Sequence, residues 1–455
     1  MWFLRGGPQF FLPWSARDPY PRDRSQISGA SVELSPPARV RTRHLSARGV
    51  GPPLAAAVPV DGLSSRAAPE AGKRHKVLLF IPHLDQGGAE RQILALCERL
   101  PPRFETVLCL GDDRIHYRNA LPTQRRRVLG CKKLGPRALA KLVAVLNEER
   151  PDILHCYRDK ANFWGRLAAR RAPVPVVLSS VRNRMMGPLY WATERFLSRR
   201  TDRVLTNSRG VVPELVGMAG VDPAKIQVVH NFIDLETFQV PRDEQRAEAR
   251  ARFGLGPEEL ALLVPARISL QKHQLGLVKA LGLLRRKGRL PAGVRVLIAG
   301  RSHGRVLPSL LRRLAAWYGI LPHLRFMGPV EDMSALYHAA DALVLPSLFE
   351  GLPNVVLEAQ ASGLPAVVSH AANLDRIVVP GESGFEFRTG DSAALAEALG
   401  ELFATNADER RAMGRRGREH VGATFSPARI LEETVALYDG LLASKGLGNP
   451  TPTVR

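Results

Sequence analysis

The sequence predicts an α/β protein built as two doubly wound parallel-sheet domains that face a central cleft. Three observations predict it. Short apolar runs alternate with segments of helical spacing, twice over, as in parallel sheets covered on both faces. A charge-rich stretch over 239–258, ending Phe253-Gly254-Leu255-Gly256-Pro257, separates the two series as a hinge. The chain of 455 residues is long enough for two domains, each burying its own core.

Residues 1–72 alternate Pro, Ser, Arg, Gly and Ala without periodicity, so they are expected to be a disordered extension or the product of a misplaced start codon. The texture changes at Lys76. A buried-strand run over 77–81 is followed by Gly87-Gly88 and then by helical spacing over 89–96. Further strands are expected at 106–110, 152–155, 174–179, 203–206 and 226–229, with helices near 137–149, 161–171, 188–199 and 208–218. These complete a first, acceptor-side domain over 73–240. The second series, at 260–266, 294–299, 324–327, 342–345 and 366–369, builds a domain over 258–425. Helical patterns over 392–403 and 427–442 follow; the segment 426–445 is expected to cross back to the first domain, leaving 446–455 as a tail.

A net charge of +22 and a pI near 10.7 imply attraction to something anionic: nucleotide phosphates, anionic lipid or nucleic acid. An Arg-, Ala- and Pro-rich composition is also what a GC-rich genome produces. Cys97, Cys109, Cys131 and Cys156 form no C-x-x-C pair, which argues against a zinc site or a disulfide framework and for a reducing compartment. No stretch is long and apolar enough to cross a bilayer, and Met1-Trp2-Phe3-Leu4-Arg5-Gly6-Gly7-Pro8 breaks off too early for a secretory signal. A cytoplasmic protein, with peripheral association at the inner face of an anionic membrane, is the expectation.

The chemistry gathers at predicted strand ends. Phe349-Glu350-Gly351-Leu352-Pro353-Asn354 follows the apolar run over 342–345 and leads into a helix carrying Glu358, with Asn354 expected as its N-cap. Glu350 is therefore expected at the cleft mouth and Glu358 one turn deeper, with free first-turn N–H groups pointing into the crevice where parallel sheets bind ligands. Arg267 and Lys272 follow the second domain's first strand, so they reach the same sheet edge and offer a seat for a diphosphate. Neither first loop carries the G-x-G-x-x-G of dinucleotide dehydrogenases, and no P-loop is present. Gly87-Gly88 would let bare backbone approach a phosphate, or simply close a loop.

Together with Gly87-Gly88-Ala89-Glu90-Arg91, Ala161-Asn162-Phe163-Trp164-Gly165-Arg166, Thr206-Asn207-Ser208, Val229-His230-Asn231-Phe232-Ile233-Asp234, Ala340-Asp341 and Pro346-Ser347, these pieces make the segment from Lys76 to about Leu442 resemble the retaining glycosyltransferases of family 4. The resemblance implies the GT-B fold, two Rossmann-like domains, and a nucleotide-diphosphate sugar as co-substrate with no further cofactor. It implies that Arg267 and Lys272 hold the donor diphosphate and that Glu358 accepts hydrogen bonds from the ribose hydroxyls. Glu350 would face the transferred sugar, ringed by the backbone of Gly351, Leu352, Pro353 and Asn354, and Gly87 and Gly88 would meet the phosphates, or the acceptor, from the opposite domain. No Asp-x-Asp is present, and the two cations would take the place of a metal ion. The acceptor would be a hydroxyl of a glycan or lipid-linked molecule, in the synthesis of a cell-surface polysaccharide or glycolipid.

Three departures qualify the resemblance. His155-Cys156-Tyr157 keeps only the first histidine of a His-x-His, so His155 is a catalytic candidate beside an equal reading as a core residue. Phe232 replaces a glycine in the interdomain loop, and Ala371-Ala372-Asn373 replaces a Gly-Gly turn near the nucleotide. Arg182, Asn183 and Arg184 form a basic loop in the first domain, near Met185, Met186 and Trp191, that would suit an anionic lipid-linked acceptor or be a solvated face. Trp164 and Trp317 read as core or rim residues. Two other readings remain: a sugar-nucleotide epimerase of the same layout, which the ordered Glu350 to Glu358 helix start disfavours, and a basic nucleic-acid-binding protein. The chain has no aromatic-interleaved basic motif, so no nucleic acid is expected as partner.

Overall fold

Strands of a parallel sheet are buried on both faces and need near-continuous apolar sequence; every run of that kind predicted above forms one. A computed structural model describes residues 74–84, 88–115, 126–182, 187–302 and 304–448. The expected extension over 1–72 and the site candidates Gly87, Asn183 and Arg184 lie outside the described residues.

The first domain comprises β1 (His75–Ile81), α1 (Gly88–Arg99), β2 (Phe104–Leu110), β3 (Arg126–Val128), α2 (Pro136–Glu149), β4 (Ile153–Tyr157), α3 (Asp159–Ala168), β5 (Val176–Val181), α4 (Pro188–Ser198), β6 (Arg203–Thr206), α5 (Val212–Gly217) and β7 (Ile226–Val228). Its sheet is parallel in the order β3-β2-β1-β4-β5-β6-β7. The second domain comprises α6 (Asp243–Arg252), β8 (Leu260–Pro265), α7 (Gln274–Arg286), β9 (Val294–Ala299), α8 (Val306–Trp317), β10 (Leu324–Gly328), α9 (Met333–Ala339), β11 (Ala342–Leu345), α10 (Asn354–Ala361), β12 (Ala366–Ser369), β13 (Gly384–Phe387) and α11 (Ser392–Ala404). Its sheet runs β10-β9-β8-β11-β12-β13, again parallel. α12 (Ala407–Thr424) and α13 (Pro427–Ser444) end the described chain. Tyr438, Leu441 and Leu442 of α13 share one buried cluster with Val77, Leu79 and Ile81 of β1, so the last helix packs on the first domain.

Three elements had no periodic signal. β3 is three residues long at a sheet edge, and β13 is a half-exposed edge strand, so neither needs an apolar run. The stretch expected as a hinge contains α6, whose charges are structural: Arg246 Nη2 donates to Asp341 Oδ1 at 2.6 Å, and Arg250 Nη1 to Asp341 Oδ2 at 3.1 Å. Asp341 in turn accepts from the Ala261 N–H at 2.7 Å, which ties this helix to the start of β8. Among the described residues no helix is long and apolar enough to cross a membrane.

Each sheet reverses its strand order once, between β1 and β4 and between β8 and β11. Loops leaving the carboxyl ends of such strands diverge, and the crevice between them is where open α/β sheets bind ligands.

Candidate functional site

β8 and β11 are hydrogen-bonded neighbours, with Leu262 opposite Ala342, so the loops that follow them leave the sheet side by side. The loops are stitched together: the Leu348 N–H donates to the Gln271 carbonyl at 2.8 Å, and Gln271 Nε2 donates to the Phe349 carbonyl at 3.0 Å. This seam brings Lys272 Nζ to 2.5 Å from Glu350 Oε1, with both side chains largely buried. Arg267 is exposed beside them and makes no ion pair among the described residues; its carbonyl is fixed by Gln274 Nε2 at 2.8 Å. Gly300, at the end of β9, lies directly under this loop. A Cβ there would sit 2.4 Å from the Ala266 carbonyl oxygen and 2.9 Å from the Arg267 nitrogen, so the close approach requires glycine.

Asn354 is the first residue of α10, not its cap; Pro353 precedes it and supplies no capping side chain. Its amide has another task, since Asn354 Oδ1 accepts from Asn231 Nδ2 at 2.6 Å. One turn on, Glu358 is buried, and its two oxygens face different domains. Oε2 accepts from Tyr337 Oη at 2.8 Å, whereas Oε1 accepts from Arg91 Nη2, carried by α1 of the first domain. Burial, with the Glu358 carboxylate beside it, holds the Tyr337 phenol well above its ordinary range, so it remains a donor. Gly351 in the same loop abuts the first domain: a Cβ would lie 2.6 Å from the Arg182 carbonyl oxygen and 3.3 Å from Asn207 Oδ1.

The first-domain candidates divide. Gly88 opens α1 and so stands at the β1–β4 switch point. Arg182 donates through Nη1 to Asn231 Oδ1 at 2.6 Å, and its guanidinium carbon lies 5.1 Å from the Tyr157 ring centre. A chain of side chains therefore runs from Arg182, after β5, through Asn231 to Asn354 at the start of α10. His155 is buried in β4, with Nδ1 2.7 Å from Tyr438 Oη and Nε2 2.8 Å from Ser180 Oγ. Burial, and then the nearby Arg182 charge, push its pKa well below the usual histidine value. Both ring nitrogens are engaged by the first domain and α13, so no hydrogen bond joins it to Lys272, Glu350 or Glu358.

Arg91, Asn231 and Tyr337 therefore join the site. Arg91 and Asn231 fall within the resemblance motifs, whereas Tyr337 lies in a short helix where nothing in the sequence distinguishes it from a core aromatic. Gln92, next to Arg91, clasps the Phe232 backbone in both directions, donating at 2.9 Å and accepting at 3.1 Å, which fixes α1 against the interdomain loop. A cavity opens here, lined by Arg91, Phe232, Phe238, Asn354, Leu357 and Glu358. It does not reach Arg267, Lys272 or Glu350.

Residues 86–237 match the family model described as Glycosyltransferase Family 4, and residues 259–405 the model described as Glycosyl transferases group 1. The chain is 32% identical over 314 residues to the D-inositol 3-phosphate glycosyltransferase of Mycolicibacterium gilvum, covering 66% of this chain and 68% of that one. This chain belongs to glycosyltransferase family 4. The D-inositol 3-phosphate glycosyltransferase of Mycobacterium marinum is 32% identical over 303 residues, and the chain spans 63% of that relative's length. Among solved structures, Anabaena HepE in complex with UDP and glucose superposes with a TM-score of 0.71 at 18% identity, covering 81% of this family 4 chain and all of its own. Sucrose-phosphate synthase from Thermosynechococcus elongatus gives a TM-score of 0.66 at 21% identity, over 82% of this chain and all of its own. The two sheets facing one cleft are the GT-B fold.

Proposed function

We propose that this family 4 member is a retaining, metal-independent glycosyltransferase that moves a sugar from a UDP- or GDP-sugar to a hydroxyl of a glycan or lipid-linked acceptor. The observation that carries it is the placement of Arg267 and the Lys272–Glu350 pair at the β8–β11 switch point, with Glu358 buried on the helix that follows. Cations beside a carboxylate suit a donor that is anionic at its diphosphate and rich in hydroxyls at its sugar and ribose. Support comes also from the relatives' names and from the UDP and glucose held by HepE.

In this reading Arg267 and Lys272 neutralise the departing diphosphate, the role a divalent metal would otherwise fill. The bond between the anomeric carbon and the diphosphate oxygen breaks. The acceptor oxygen bonds to that carbon on the same face, and its proton passes to the leaving phosphate oxygen. Glu350 orients the sugar and stabilises its developing positive charge. Glu358, held by Tyr337, presents its remaining lone pairs to the ribose hydroxyls. The test is transfer by purified protein from a panel of UDP- and GDP-sugars to lipid-linked and soluble acceptors, with and without chelator. Transfer that keeps the anomeric configuration and survives the chelator is expected. Isomerised donor without transfer, inverted product or chelator-sensitive turnover would each contradict part of the proposal.

A further inference from the structure

From residue 260 to residue 330 the chain has no Asp or Glu but carries thirteen Lys and Arg, although it contains 43 acidic residues elsewhere. Several of these cations are accounted for. Lys287 and Arg289 pair with Glu397, Arg295 pairs with Glu259, and Lys272 pairs with Glu350. Arg301, Arg305, Arg312 and Arg313 are exposed and have no ion pair among the described residues. The last three lie on or beside α8.

This helix is anchored by one face only. Leu311 and Ala315 are fully buried, and Leu307, Leu314 and Tyr318 pack against the same cluster. Along one edge of that face Val306 is 84% exposed, Leu310 46% and Trp317 72%, with Leu321 just beyond the helix at 38%. Positions 306, 310, 313 and 317 fall on one stripe of a helix with 3.6 residues per turn, so Arg313 sits inside the apolar row, while Arg305 and Arg312 lie about a third of a turn to one side, Arg312 with its guanidinium carbon 4.2 Å from the Phe326 ring centre. Trp317 projects from a firm base, its ring edge-on to Tyr318 with centres 4.5 Å apart. An exposed tryptophan in an apolar stripe beside arginines that have no ion pair among the described residues has the chemistry of a helix lying in the headgroup region of an anionic bilayer.

We infer that α8 is a membrane-docking surface whose partner is an anionic lipid bilayer. The surface is distinct from the Arg182 loop, whose first cation is committed to Asn231. Its position also matters for the proposed reaction. The loop between β9 and α8 bridges the donor loop, Ile268 N–H donating to the Arg301 carbonyl at 2.9 Å, so α8 begins next to Arg267. A bilayer along α8 would lie beside the cleft from which a lipid-linked acceptor would enter; that consequence rests on the glycosyltransferase reading, whereas lipid binding does not.

The test is flotation of the full chain with phosphatidylcholine vesicles, with and without phosphatidylglycerol, at low and high salt. Salt-sensitive binding to the anionic vesicles alone is expected. Trp317→Ala, and separately Arg305→Glu with Arg313→Glu, should each weaken it by about tenfold or more. Both variants should keep the wild-type melting temperature and any shift that UDP or GDP produces. Absence of vesicle binding, binding undiminished in both variants, or retention on nucleic acid instead of vesicles would overturn the inference. Failure of nucleotides to shift the wild type would count against the proposed function and leave the lipid test standing.

Discussion

Each domain holds a carboxylate paired with a cation, and the two pairs are built differently. In the first domain Arg166 grips Glu194 with two hydrogen bonds of 2.8 and 2.5 Å, and its Nε donates to the Asn162 carbonyl at 2.8 Å. The side chains are 3% and 0% exposed. In the second domain Lys272 meets Glu350 through one contact at a cleft, beside an Arg267 that has no ion pair among the described residues. A pair with its hydrogen-bonding capacity filled by protein holds elements together, here α3 and α4. A pair with lone pairs and N–H groups left over at a switch point is placed to meet a ligand.

The contrast can be broken from either side. Glu194→Ala strands a buried guanidinium and should cost about 3–5 kcal/mol in urea unfolding, with transfer per folded molecule retained. Lys272→Ala should lower turnover by roughly two to three orders of magnitude, and its stability loss should be smaller than that of Glu194→Ala, because Glu350 loses a single contact at the cleft. Equal stability losses in the two variants would erase the distinction.

Gly351→Ala probes the seam between the domains. Its methyl would meet the Arg182 carbonyl at 2.6 Å and hold the acid loop away from the first domain. Steady-state kinetics should show up to about a hundredfold loss of kcat/KM, the cost of a displacement near 1 Å in a positioned site. The smallest effect belongs to His155. Its folded pKa lies well below the ordinary 6.5, so below that pH the unfolded chain takes up a proton that the folded one refuses. Stability should therefore fall by up to about 1.4 kcal/mol per pH unit as pH drops below 6.5. His155→Asn should flatten that slope in pH-dependent melting; His273 and His338, also shifted down by burial, would leave a remainder.

Much of the fold was legible because parallel strands demand apolar runs, and the short runs over 77–81, 294–299 and 342–345 alternate with segments of helical spacing. β3 and β13 escaped because edge strands need no such run, and α6 because its charges serve Asp341. Arg267, Lys272, Glu350 and Glu358 could be placed from sequence since each follows a strand at the same sheet edge. The partner of Glu358 could not: Arg91 lies 267 positions away, in the other domain. Asn162 and Arg166 show the opposite failure. They belong to a conspicuous motif, yet Asn162 Nδ2 donates to the Ser180 carbonyl at 2.8 Å and Arg166 is sealed against Glu194, so their work is structural.

The most direct measurement is calorimetric titration of UDP and GDP, and of the matching monophosphates, into the wild type, Glu358→Gln and Lys272→Ala, each first shown to melt as a folded protein. The wild type should bind one nucleoside diphosphate, and Glu358→Gln should weaken both it and its monophosphate by about tenfold, the loss of one charged hydrogen bond. Lys272→Ala should weaken the diphosphate selectively. Wild-type affinity for every nucleotide in both variants would contradict the assignment of this edge of the second domain as the donor site.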